Sequence, residues 1–89
     1  MNARLPGADL VEQGLEDLRR GHESIEALLV SIGSPRLSAL GLDVQDPYPN
    51  AEHRLYLRLA ADDPDTAHSK YNALIRRLVS FERARACAT

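Results

Sequence analysis

Glu52 and His53, followed by Asp65 and His68, are the residues of this 89-residue chain whose types and spacing come nearest to a metal site. Two facing helices would bring them together, and a metal needs several such ligands converging. The paired Glu-x-x-His motif of di-iron bundles is absent, however. Surface charge and an acid near a helix start account for the same residues. No metal and no cofactor are expected, and the His53/His68 region is the place to look for an exception.

His68, Tyr71 and Asn72 form the most suggestive polar cluster. His68 and Asn72 are four residues apart and so are neighbours on a helix, with Tyr71 on the adjoining apolar stripe. They read as a hydrogen-bonded seam between two helices, or else as an edge that recognises a partner. A seam would have to reach a neighbouring helix or the 47–49 loop, because an unsatisfied buried polar group costs about 1–3 kcal/mol.

Catalytic chemistry has little to stand on. Cys87 near the chain end has no neighbouring base in sequence to activate it. No nucleophile elbow and no Gly-rich phosphate loop precedes a helix. The chain is expected not to be an enzyme.

The elements that must position these groups are helical, and no strand-like alternation of apolar and polar residues occurs. Ala67, Tyr71, Leu74, Ile75, Leu78 and Phe81 recur at spacings of three and four, one stripe of a long helix reaching about Arg85. Asp63 is expected to cap it, Pro64 to occupy its first turn, and Asp65 to favour its dipole. Helix 1 spans about 8–20 and stops at Gly21. Ser24 caps a second helix with Ile25, Leu28, Leu29 and Ile32 inward, ended by Gly33. Ser34 caps a short third helix with Pro35 in its first turn and Gly41 at its close. Asp46 and Tyr48 each precede a proline and are expected to be extended. Asn50 caps a fourth helix over about 51–61, burying Leu55, Tyr56 and Leu59 and leaving Leu57 off the stripe.

The expectation is thus an all-α bundle of about five helices, two short, with a long C-terminal helix. Residues 1–7 read as a flexible arm and 8–89 as one domain. A chain this short buries a modest core, and three Tyr and one Phe are its entire aromatic content, so the core must be aliphatic. Marginal cores favour homo-oligomers. The long helix rivals the width of such a domain, which points to Phe81 and its last turns as a homodimer contact.

Net charge is −2, so there is no general attraction to nucleic acid or membrane. The charge is uneven: residues 67–89 hold five basic side chains and one acid. A helix-turn-helix-like unit over 23–41, offering Arg36 and Ser38, and the Arg-rich C-terminal helix are the two surfaces for an alternative, nucleic-acid-binding role. A single cysteine allows no disulfide within the chain and fits the cytoplasm. No secretory leader or bilayer-spanning apolar run is read. The leading functional expectation is a small intracellular, non-catalytic protein-interaction or regulatory module that self-associates, with His68, Tyr71, Asn72 and Phe81 as its candidate partner contacts.

Overall fold

Helix α1 (Ala8–Arg19) and helix α2 (Ile25–Ile32) approach each other at a glycine in this computed structural model, which describes residues 5–88. A Cβ placed on Gly14 would lie 2.4 Å from the Glu26 carbonyl oxygen and 2.7 Å from Val30 Cγ1. The two backbones can come this close because Gly14 has no side chain. Against them pack α3 (Ser34–Ala39), α4 (Ala51–Asp62) and α5 (Ala67–Ala88), with no strand among the described residues. The structure is therefore all-α with a long C-terminal helix, as the apolar periodicity predicts.

α2 is the centre. Ala27, Leu28, Leu29 and Val30 are fully buried, and α1, α4 and α5 all pack around them. Such a helix is apolar nearly all round because it has neighbours on every side. Val11 and Leu18 from α1, Leu37 from α3, Leu55 and Leu59 from α4, and Ala67, Leu78 and Phe81 from α5 complete the core.

Polar groups close the corners. The Ser24 side chain accepts from the Ala27 N–H at 3.0 Å, capping α2 as its sequence position implies. Its hydroxyl donates at 2.5 Å to Asp17, a buried carboxylate that also receives Gln13 Nε2 at 2.9 Å. The Ser24 bond outweighs the desolvation of Asp17 and, together with Gln13, holds its carboxyl below the ordinary range. Ser31 donates to the Ala27 carbonyl and accepts from the Tyr48 N–H at 3.0 Å, which anchors the loop before α4. Arg54 completes the tie by pairing with Glu23 at 2.8 Å and lying over the Tyr48 ring.

Several expected boundaries move. Pro64 is not in the first turn of α5. It sits in a β-turn closed by the Thr66 N–H on the Asp63 carbonyl at 3.3 Å, while the Asp63 side chain accepts from the Asp65 N–H. α4 ends at Asp62, so the chain must reverse at once, and Pro suits the second position of that turn. The Lys70 N–H bonds to the Thr66 carbonyl, so α5 begins after Thr66. Gly33, not Ser34, caps α3, while Pro35 does lie in the first turn. Asn50 holds the cap position of α4 in a left-handed conformation without a side-chain bond. Asp46 avoids the right-handed helical region before Pro47 but takes φ 49° instead of an extended form; Asp is among the residues that tolerate that region.

Of the arm expected over residues 1–7, residues 1–4 lie outside the described residues. Leu5 packs on the core, and Gly7, at φ 77°, crosses α5 so closely that a Cβ would lie 2.7 Å from the Arg77 carbonyl oxygen.

Two consequences are measurable. Gly14→Ala, which raises intrinsic helix propensity by about 1 kcal/mol, must lower stability here, by about 2 kcal/mol or more, because the new methyl meets backbone that cannot swing aside. Chemical denaturation reads this directly. Asp17→Asn should cost about 1–3 kcal/mol at neutral pH. Because the folded carboxyl titrates below its unfolded value of about 3.9, this stabilisation is complete above that pH. It fades as pH falls through the lower folded value. The gap between wild type and Asp17→Asn, followed by melting against pH, should therefore close in acid.

Candidate functional site

A four-residue turn joins α4 to α5, which makes them antiparallel neighbours. The Tyr56 and Tyr71 rings meet across the pair, centroids 6.0 Å apart and tilted by 59°, within the range of favourable aromatic contacts. Lys70 reaches Asp62 at 3.7 Å beside the turn.

The stripe of α5 is unevenly covered. Ala67, Leu78 and Phe81 are buried, but Tyr71, Leu74 and Ile75 between them are half-buried. On α4, Leu55 and Leu59 face the core. Tyr56, expected inside, is 38% exposed, and Leu57 is 54% exposed. His53, Tyr56, Leu57 and Ala60 follow one another at helical spacing on the outer flank of α4. His68, Asn72, Ile75 and Val79 do the same on α5. The hairpin thus carries an apolar outer face with polar groups at its margin.

His68 and Asn72 do not make the expected seam. Their side chains lie 3.2 Å apart in a contact within α5, both exposed, and bond to no other helix or loop among the described residues. The aromatic contact between the helices is the tyrosine pair. Desolvation, followed by the charge of Glu52, raises the Tyr71 phenol above its ordinary value, so it stays a neutral donor at physiological pH.

His53 and His68 are not brought together. Each lies three residues before the tyrosine of its own helix. In an antiparallel pair these offsets point opposite ways, separating the two histidines by about 9 Å along the helix axes. Among the described residues, no three His, Cys, Asp or Glu side chains are grouped to hold a metal ion. Nor do those residues form a pocket. Cys87 is exposed.

Phe81 is placed differently from its expected role. It is 5% exposed, in the core of its own chain, with its Cβ 3.4 Å from where a Gly7 Cβ would stand. The N-terminal segment covers the turn of α5 that would otherwise outrun the bundle. The Arg-rich end is partly spent as well: Arg77 pairs with Asp9 at 3.2 Å, and Arg85 donates to the Leu40 carbonyl.

The unit over 23–41 departs from a helix-turn-helix. Gly33 at φ −86° ends α2 and starts α3 in one residue, leaving no three- or four-residue turn. α3 has six residues, with Arg36 and Ser38 exposed. Arg36 is close enough to Glu82 to oppose the upward shift that burial gives that carboxyl.

No helix among the described residues is long and apolar enough to cross a membrane. Family models, curated proteins and solved structures contain no match to this chain.

Asn72→Ala should leave the melting temperature nearly unchanged, since exposed positions rarely move stability beyond about 0.5 kcal/mol. Tyr71→Ala should lower stability by about 1 kcal/mol or more, losing the ring contact and its half-buried area. Melting curves of the two variants side by side check both.

Proposed function

We propose that this chain is a small intracellular, non-catalytic protein-interaction module that works through the outer face of the α4–α5 hairpin. The exposure of Tyr56 and Leu57 carries the reading. Single exposed apolar residues are ordinary on any protein. Here two are adjacent and are continued by half-buried Tyr71 and Ile75. An apolar, tyrosine-bearing centre with His53, His68 and Asn72 at its margin matches the anatomy of protein interfaces. The lone cysteine, unable to form a disulfide within the chain, supports a reducing compartment.

A nucleic-acid role would rest on Arg76 and Arg83, which are exposed and make no ion pair among the described residues. The net charge of −2 and the acidic turn at 62–65 count against it.

The test uses the full chain as bait in a native extract, comparing wild type with Leu57→Arg. Leu57 is exposed, so the variant should keep its melting temperature to within about 0.5 kcal/mol of stability. The expected result is a protein retained in fixed proportion by wild type and lost with Leu57→Arg. Identical retention by both, or elution of nucleic acid in place of protein, overturns the reading.

A further inference from the structure

The cations of α5 are unevenly used. Lys70 reaches Asp62, and Arg77 pairs with Asp9. Arg85 donates to the Leu40 carbonyl oxygen. Arg76 and Arg83 are exposed and make no ion pair among the described residues. Val79 is three residues after Arg76 and four before Arg83, so both arginines neighbour it on the helix surface. Ile75 stands one further turn back from Val79, and both of these apolar side chains are half-buried. The single acid of α5 does not offset the two arginines. Glu82 is half-buried, with its Oε2 3.0 Å from where a Gly33 Cβ would stand, and forms no ion pair among the described residues.

From this arrangement we infer that the occupant of the hairpin face is an acidic amphipathic segment of a partner protein. Its carboxylates pair with Arg76 and Arg83, while its apolar side chains cover Ile75, Val79 and the Tyr56–Leu57 surface. The inference rests on the interaction reading above and names the chemistry of the partner. A guanidinium can take a carboxylate through two parallel hydrogen bonds, and arginine is among the residues enriched in interfaces. Arg76 and Arg83 are seven residues apart, about 10 Å along the helix axis. Two acids placed two turns apart on a helical partner therefore meet both. Opposite charges beside an apolar centre fix the register of such a segment and disfavour a basic one.

A nucleic-acid strand fits the same face less well. Such a strand gains affinity by having many phosphates neutralised. The face offers two unpaired arginines, with Asp62, Asp63 and Asp65 at its turn and the charge of Glu52 acting on Tyr71. These carboxylates repel a polyanion that runs on past the arginines, whereas a short acidic segment need not reach them.

The experiment is fluorescence anisotropy with the full chain and three labelled probes. One is an amphipathic peptide with glutamate on one helical face and leucine on the other. The second is the same peptide with lysine for every glutamate, and the third is a single-stranded oligonucleotide. Wild type is compared with Arg76→Glu and Arg83→Glu, both at exposed positions where the melting temperature should hold. The acidic peptide should bind wild type and bind less tightly as salt rises, because exposed charge pairs are screened. Each reversal should weaken it by about fivefold or more. The lysine peptide and the oligonucleotide should bind more weakly than the acidic peptide.

No binding of the acidic peptide at low salt, equal binding of the lysine peptide, indifference to both reversals, or tighter binding of the oligonucleotide each overturns the inference. So does sedimentation showing a wild-type dimer that the acidic peptide cannot displace, which would make a second copy the occupant. Failure here is distinct from failure of the interaction reading. A protein from the extract that is lost with Leu57→Arg but retained by Arg76→Glu and Arg83→Glu would leave that reading standing and remove the acidic partner.

Discussion

The close approach of α1 and α2 at Gly14 is the constraint on which the rest depends. Any side chain there would meet the Glu26 carbonyl within 3 Å, so the helices would have to separate along their length. α2 can bury four consecutive apolar residues because α1 lies this near on one side while α4 and α5 close the others. The buried Asp17–Ser24 bond fixes the same pair about one turn further along α1. A charged group in this position is tolerated because its oxygens are filled by hydroxyl and amide donors. The corner is therefore held by packing at Gly14 and by hydrogen bonds at Asp17, and neither substitutes for the other.

From that corner the later helices follow. Glu23, just before α2, receives Arg54 on its carboxylate and Arg58 on its carbonyl oxygen, which sets the height of α4 against α2. The loop between α3 and α4 is pinned by Ser31 and by the Arg54–Tyr48 contact. α5 is then positioned by its short turn, by the Gly7 crossing at Arg77 and Phe81 in its middle turns, and by Arg85 on the Leu40 carbonyl near its end. The segment around Tyr71 and Ile75 has α4 on one flank and solvent on the other.

The fold class was legible because helix punctuation in this chain is chemically explicit. Ser24 caps α2, and Gly21 and Gly41 take positive φ just past helix ends, each as local chemistry requires. Features that depend on distant residues were not legible. Pro64 fits a helix start and a β-turn equally well, and the choice was made by where α4 stops. Phe81 looked like the end of an overlong stripe because nothing in its neighbourhood announces that Leu5 and Gly7 return to cover it. Asp17 gave no sign of burial, since its partners Gln13 and Ser24 are ordinary surface residue types. The spacing of Gly14 from Val11 and Leu18 puts it on the buried face of α1, but spacing alone cannot say that a backbone lies against it.

The candidate site was half legible for the same physical reason. Periodicity reports which residues share a helix face; it does not report which flank of that face a neighbour covers. Tyr56 and Tyr71 both fall at stripe positions, and both were expected inside. The tyrosines instead meet in a tilted contact at the rim of the core, Tyr56 exposed and Tyr71 half-buried. This follows from helix count. α2 has α1, α4 and α5 around it, but α4 and α5 have no sixth helix on their outer side, so their stripes are wider than the core can bury. The excess apolar surface shares the outer side of the hairpin with Arg76 and Arg83, which make no ion pair among the described residues. On a chain of this size, any association face is set by what the helices leave over, and here that remainder is the tyrosine-bearing outer flank of the α4–α5 hairpin.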